Sequence, residues 1–277
     1  MTFRSWVNLY LCCITIQIFH LATPQLQVIR YITPLREGGS LPALVEVNDG
    51  EKYVLKFKGA GQGTKALIAE FIGGKLAQKL GFLVPEIAFC ILDEGFGRTE
   101  PDEEIQDLLK SSVGLNLGMK FLPGAISFDP AVNSVPNMIA SMIVWLDMYL
   151  TNVDRTARNT NMLMWKNDLW LIDHGAALYF HHNRSAWETY ISKPFPMIKN
   201  HVLLSGATKI KEADQIIREE LTEQFIVETC SQIPEEWLLS REDDWSAEAV
   251  KLMYTEYLIE RLKQAPSFVN EIIDAGS

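Results

Sequence analysis

Asp154, Asn159 and Asp173 are the residues whose types and spacing could do chemistry together. Asp154 and Asn159 stand five apart in Asp154-Arg155-Thr156-Ala157-Arg158-Asn159, and Asp173 opens Asp173-His174-Gly175. Between them lie two short, mostly apolar segments, residues 161–165 and 168–172, joined at Lys166-Asn167. The pattern predicts a tight β-hairpin, whose second strand returns beside the start of the first. Asn159 and Asp173 are therefore expected to be neighbours. Hard divalent cations are held by one or two carboxylate or amide oxygens together with a substrate's phosphates, so this pair suits a metal-bound phosphate. Asp154, on the same loop, would face that phosphate from the side where an incoming hydroxyl must sit. The chemistry is phosphoryl transfer to an alcohol. Any one of the three is equally at home capping a turn; their order and context together carry the reading.

The elements that must position them can be read outward from the loop. Residues 136–150 form a helix apolar nearly all round, with Pro136 suited to its first turn, and such a helix belongs in a core. Upstream, residues 28–32, 43–47 and 52–57 alternate like strands, and Asn48-Asp49-Gly50 joins the last two as a hairpin. Before that hairpin, Gly38, Gly39 and Ser40 lie in a short loop between strands. Glycines there let backbone amides approach a phosphate, although such turns also simply connect strands. Gly59-Ala60-Gly61-Gln62-Gly63-Thr64-Lys65 has the wrong order for a Walker A loop and reads as a linker. It leads into a helix over residues 65–80, with Leu67, Ile68, Phe71, Ile72, Leu76 and Leu80 at helical spacing. Glu70, close to that stripe, could reach a lysine on the neighbouring strand. Residues 84–92 and 118–124 read as further strands, and the acidic stretch 93–107 as a surface excursion. After Phe180 the chain turns helical, over residues 212–230, 235–239 and 246–264. His181, His182 and His201 have no metal-ligand companions and are expected at the surface or behind a site.

The composition narrows the partners. The 277 residues are 48% hydrophobic, ample for a packed core, and 35 acidic against 25 basic residues give a net charge of −10. No nucleic acid is expected as a partner, and a phosphorylated ligand must be held by a local device such as a lysine, backbone amides or a metal. The four cysteines include no CxxC pair, and only Cys90 and Cys230 lie in the body of the chain, which favours a reducing compartment. Residues 1–25 carry Arg4 and an apolar run over residues 6–19 interrupted by Asn8, Thr15 and Gln17. That outline fits an export signal or anchor, a start codon assigned too far upstream, or a peripheral element. Membrane contact is expected only if this segment anchors the chain.

Asp154 to Asn159 and Leu171-Ile172-Asp173-His174-Gly175 resemble the HipA-like kinases, particularly a short stand-alone bacterial form. Glu37-Gly38-Gly39-Ser40-Leu41-Pro42-Ala43-Leu44-Val45 and Tyr53-Val54-Leu55-Lys56-Phe57 resemble that form's opening strands and nucleotide-binding lysine. More distantly, the chain is similar to type II phosphatidylinositol 4-kinases. The resemblance implies an α+β, bilobal protein-kinase-like fold: a β-rich N-lobe over residues 26–120 and a mainly helical C-lobe over residues 121–277, after the uncertain segment 1–25. It implies ATP with Mg2+ (or Mn2+) as cofactors, contacted by Gly38, Gly39 and Ser40. Lys56 would lie on the nucleotide phosphates with Glu70 as its helix partner, Asp154 would be the catalytic base, and Asn159 with Asp173 would hold the metal. The expected protein is a cytoplasmic serine/threonine-type kinase acting on a hydroxyl of a protein or of itself. A lipid or small-molecule kinase, or a nucleotide-binding pseudokinase scaffold, are the alternatives. Asn152-Val153 stand before Asp154 where eukaryotic protein kinases carry His-Arg, so activation-loop control of their kind is not implied.

Overall fold

Five strands close into a barrel: β1 (Gln25–Pro34), β2 (Ala43–Val47), β3 (Lys52–Lys56), β4 (Ile87–Leu92) and β5 (Gly114–Lys120), in the order β1-β2-β3-β5-β4. The structure is a computed structural model and describes residues 22–35, 41–61, 63–96, 101–239 and 244–276. All neighbouring strands run antiparallel except β1 and β4, which pair in parallel from Gln25 and Phe89 onward. Period-2 alternation sends Ala43, Val45, Val47, Tyr53 and Leu55 into the barrel. Lys56 therefore points out of it. The β2–β3 turn is the Asn48–Gly50 hairpin, with Gly50 at φ 84°.

Helix α1 (Gly63–Lys79) lies outside the barrel, with Leu67, Ile68, Phe71, Ile72 and Leu76 in one core with Ile87 and Phe89 of β4 and Leu117 and Met119 of β5. Strand β4 is thus buried on both faces, so its sequence is a continuous apolar run. The acidic stretch that sequence reading leaves as a surface excursion contains a helix, α2 (Glu103–Ser111). Asp102 caps it, its carboxylate accepting from the amide of Glu104 at 3.1 Å, and Ile105 and Leu109 plug one end of the barrel core.

Helix α3 (Asn137–Leu150) is buried from Ala140 to its last residue. Strand β6 (Ile126–Ser127), just before it, joins β7 (Met162–Trp165) and β8 (Asp168–Leu171), just after it, in a three-stranded sheet, and helices α4 (Ile210–Glu220), α5 (Glu223–Ser231), α6 (Glu235–Leu238), α7 (Ala247–Lys263) and α8 (Ala265–Ala275) follow. Strand β5 begins four residues before the expected 118–124 and ends at Lys120, and two helical details also differ from the sequence expectation. The helix expected over residues 212–230 breaks at Leu221, because the Thr222 hydroxyl accepts from the Phe225 amide and starts a new helix. Helix α8 follows α7 directly, with Pro266 in its first turn. Among the described residues no helix is long and apolar enough to cross a membrane. Cys90 and Cys230 are buried and unpaired, and burial pushes both thiols up to about 12.

Buried charges fix where α3 delivers its following loop. The Arg261 guanidinium of α7 donates to the carbonyls of Met148 (3.0 Å) and Tyr149 (2.8 Å) in the last turn of α3, and to Ile191 (2.8 Å). On α3 itself, Asp147 accepts from Arg155 Nε (2.6 Å), Asn152 Nδ2 (2.9 Å) and His201 Nε2 (2.9 Å). The Leu203 amide donates to His201 Nδ1 at 3.0 Å, which leaves the ring proton on Nε2 for Asp147. Arg155 also donates to the Asn161 carbonyl. His181 and His201, expected at the surface or behind a site, are both buried, His181 against the Tyr254 hydroxyl at 3.1 Å.

Burial would raise the Asp147 carboxyl, but Arg155 and His201 hold it well below its ordinary value of 3.8. The unfolded chain takes up this proton below about pH 4 while the folded one does not, so stability falls as the pH drops through that range. Asp147→Asn is expected to cost about 3–5 kcal/mol by stranding the Arg155 charge. Its stability should also fall less steeply on acidification, by up to about 1.4 kcal/mol per pH unit. Urea midpoints from pH 6 downward check both; an unchanged acid slope would contradict the assignment.

Candidate active site

Three elements bring Lys56, Glu70 and Asp173 together. Lys56 ends β3 on the outside of the barrel, Glu70 lies about two turns into α1, and Asp173 follows β8. The Lys56 ammonium is 2.6 Å from Glu70 Oε2 and 2.7 Å from Asp173 Oδ1. Glu70 is fully buried, whereas the Asp173 side chain is 46% exposed, so one carboxylate is part of the framework and the other faces outward. Burial alone would lower the lysine's pKa, but the two carboxylates raise it above the ordinary range, and the ammonium is fully charged at neutral pH. Burial would raise the Glu70 carboxyl, yet Lys56 holds it well below the usual carboxylate range.

The loop after α3 supplies the rest. Asp154 Oδ2 accepts from Asn159 Nδ2 at 2.7 Å and from Asn161 Nδ2 at 3.3 Å. The β7–β8 register sets Met162 opposite Leu171, and the Ile172 amide bonds the Asn161 carbonyl at 3.1 Å. Asn161, two residues after Asn159, is therefore the asparagine nearest Asp173, and its amide reaches the Asp173 carbonyl at 3.4 Å. Asn159 turns its nitrogen to Asp154 instead. Sequence reading missed Asn161. The signal was available, since counting back along a two-residue hairpin sets residue 161 opposite Ile172, the neighbour of Asp173, and leaves Asn159 beyond the end of the pairing. Asn161 and Asp173 both take positive φ, 49° and 55°, a conformation that Asn and Asp tolerate better than other side-chain-bearing residues. Gly38, Gly39 and Ser40 lie outside the described residues.

From sequence, His174 is only the variable residue of Asp-x-Gly. It is fully buried, with Nδ1 3.6 Å from Glu70 Oε1, too long for a hydrogen bond. Among the described residues Glu70 Oε1 and both ring nitrogens have no hydrogen-bond partner. Gly73 makes this approach possible, since a Cβ there would stand 2.6 Å from His174 Cβ. Gly175 has a weaker steric reason, because a Cβ would meet Asp173 Oδ1 at 3.5 Å and the Ala66 carbonyl at 3.6 Å, ordinary contacts. Among the described residues no group of three or more His, Cys, Asp or Glu side chains could hold a metal ion.

A strand lysine paired with a helix glutamate, beside an Asp-x-x-x-x-Asn loop and an Asp-x-Gly turn, belongs to the kinase class of folds. The solved structures agree. The crystal structure of a Helicobacter pylori proinflammatory kinase, CtkA, matches with a TM-score of 0.54 at 12% identity, over 89% of this chain and 98% of that chain. That likeness concerns the fold. The family model for HipA-like kinases matches residues 28–272, and the chain belongs to that family. Comparison with curated protein sequences finds no significant match.

The contact at Gly73 gives a test of how tightly α1 is seated. An alanine there gains about 1 kcal/mol of helix propensity but drives its methyl into His174 Cβ, an atom fixed to the backbone. Gly73→Ala is expected to lose about 1–2 kcal/mol net. Gly74→Ala should cost less, since its Cβ meets Ile87 Cδ1 at 2.6 Å, the far end of a flexible side chain. Urea unfolding of the two variants decides, and a stabilised Gly73→Ala would refute the close packing.

Proposed function

We propose that this HipA-like kinase is an ATP- and Mg2+-dependent phosphotransferase that moves the γ-phosphate to a serine or threonine hydroxyl of a protein or of itself. The observation that carries the reading is the Lys56 ammonium between a buried carboxylate and a half-exposed one, beside Asp154 and two asparagines. In this reading the barrel and α1 are the N-lobe, the helical part with the β6–β8 sheet is the C-lobe, and nucleotide lies between them.

The donor set fits the cofactors. Carboxylate and amide oxygens suit Mg2+ or Mn2+, which complete their coordination with phosphate oxygens and water. When bound, the metal neutralises charge developing on the transferred phosphate. Asp173 and Asn159 would hold it; with the Asn159 nitrogen engaged by Asp154, its oxygen is the atom left for a cation. Lys56 would contact the phosphates, and Glu70 keeps the ammonium in position. Gly38, Gly39 and Ser40 would cover the phosphates with backbone amides. Asp154 takes the proton of the acceptor hydroxyl as that oxygen bonds to the γ-phosphorus and the bond to the ADP oxygen breaks.

The two aspartates are separable by experiment. Asp173→Asn is expected to weaken metal-dependent ATP binding as well as turnover, because its contacts exist in both ground and transition states. Asp154→Asn should retain near-normal Mg-ATP affinity and lower transfer by about 10²–10⁴-fold. Calorimetry with and without chelator gives the affinities. Label from γ-labelled ATP, followed into protein and into an organic extract, gives the rate and the acceptor class. Full activity in Asp154→Asn would refute the assignment, and label in the extract alone would identify a lipid or small-molecule acceptor.

A further inference from the structure

We propose that residues 232–238 clamp α1 in its seat, with Trp237 and Glu236 as positioning residues for the Lys56–Glu70 pair. The inference rests on the reading of that pair as the nucleotide-holding device. A 2.6 Å contact does not survive a shift of 1 Å, so whatever seats α1 sets the state of Lys56.

Strand β3 stops short. It pairs Lys56 with Leu117, and the chain then turns away toward α1, so the next outward-facing residue of β5 in that register, Leu115, is paired with Ile91 of β4 on one side and, among the described residues, has no strand on its β3 side. Helix α6 replaces the missing strand. Glu236 Oε1 accepts from the Leu115 amide at 2.7 Å, and Trp237 Nε1 donates to the Leu115 carbonyl at 2.9 Å. The Lys58 ammonium stands 3.5 Å from the same Glu236 oxygen. Gly114, at φ 105°, makes room, since a Cβ there would lie 2.7 Å from Lys58 Nζ and 3.3 Å from Glu236 Oε2. A second grip lies just before the clamp helix, where Gln232 Oε1 accepts from the amide and the hydroxyl of Thr23 at 3.1 and 2.9 Å.

From there the contact runs to Glu70 through rings. Trp237, fully buried, meets Phe89 of β4 edge-on, with centroids 5.4 Å apart at 80°. Phe89 in turn lies 5.3 Å from Phe71, the residue after Glu70 on α1. Edge-on and tilted aromatic pairs at these distances attract beyond their burial. Trp237 thus wedges between the barrel wall and the helix that carries the glutamate, from more than 150 residues downstream. Packed chains of this kind pass coupling only where the element they touch has two arrangements; the structure holds α1 seated with Lys56 paired, and in the proposal the clamp favours this arrangement over a displaced one.

Two substitutions test the clamp in the full chain. Trp237→Phe keeps a ring against Phe89 and removes the donor to Leu115, and Glu236→Ala removes the acceptor. Both are expected to speed amide exchange over residues 63–79, without ligand, by about 2–30-fold, while residues 43–57 stay at wild-type rates. Mg-ATP affinity should fall by a similar factor. Glu236→Gln, which still accepts from the Leu115 amide, should restore both. In a Glu70→Gln background Trp237→Phe should no longer change ATP affinity. Wild-type exchange over residues 63–79 in both variants overturns the clamp, as does an equal rise over residues 43–57, or a Trp237→Phe effect that persists with Glu70→Gln. If exchange responds as expected but Lys56→Ala leaves ATP affinity untouched, the clamp stands and the assignment of the nucleotide site falls.

Discussion

A carboxylate with no exposed surface must keep its cation, and Glu70 keeps Lys56. Separating a buried pair strands a charge at a cost of several kcal/mol, so the distance between α1 and the end of β3 is not free to drift. Much of the fold around the site can be understood as meeting that constraint. The period-2 alternation of β3 directs Lys56 outward, the apolar stripe of α1 packs on the outer faces of β4 and β5, and Gly73 lets the helix close on His174. Asp173 is under no such obligation. Half-exposed and held at positive φ, it can exchange its contact with Lys56 for another partner at little desolvation cost. The site therefore has a rigid side, from the barrel and α1, and an adjustable side, from the turn after β8.

The loop that carries Asp154 is fixed by a different set of buried charges. Asp147 and Arg155 are almost fully buried, and every acceptor site of Asp147 in use is occupied by a group from the loop or from His201. Well-packed apolar side chains would give such a region comparable stability. What a hydrogen-bonded ion network adds is direction: Arg155 reaches from Asp147 to the Asn161 carbonyl, and so ties the start of β7 to the last turns of α3. Arg261 does the same one and two residues further on, joining the end of α3 to residue 191 and to α7. The loop is thus specified from both ends by groups that cannot shift without losing partners.

Legibility in the sequence followed the range of the interactions. The spacing of Asp154, Asn159 and Asp173, the hairpin between them, the strand ending at Lys56 and the helix bearing Glu70 are all local patterns, and the strands and helices formed close to where periodicity put them. The family was legible for the same reason. Asp147, Arg155, His201 and Arg261 were not, because a charged residue inside an apolar helix or on a loop looks the same whether its partner is water or a residue 50 positions away. Trp237 sat unremarked in a short helical run, since nothing near it indicates that its indole meets Leu115. Asn161 was a nearer miss. Its neighbour Asn159 satisfied the expected spacing, and only the register of β7 on β8 separates the two.

The two asparagines matter to the chemistry in a way neither does alone. Both amide nitrogens converge on Oδ2 of Asp154. A carboxylate oxygen that accepts two such bonds is committed, and the other oxygen, Oδ1, is the one left to meet a hydroxyl in the proposed reaction. The same bond settles Asn159, whose amide must turn its oxygen away from Asp154 once its nitrogen is engaged. Asn161 adds the link to the Asp173 backbone, so that the proposed base and the proposed metal ligand are held in one register. Removing the Asn161 amide would loosen that register while leaving the Lys56–Glu70 pair intact. The orientation of the proposed base and the charge state of the lysine are accordingly separate problems, solved on opposite sides of one site.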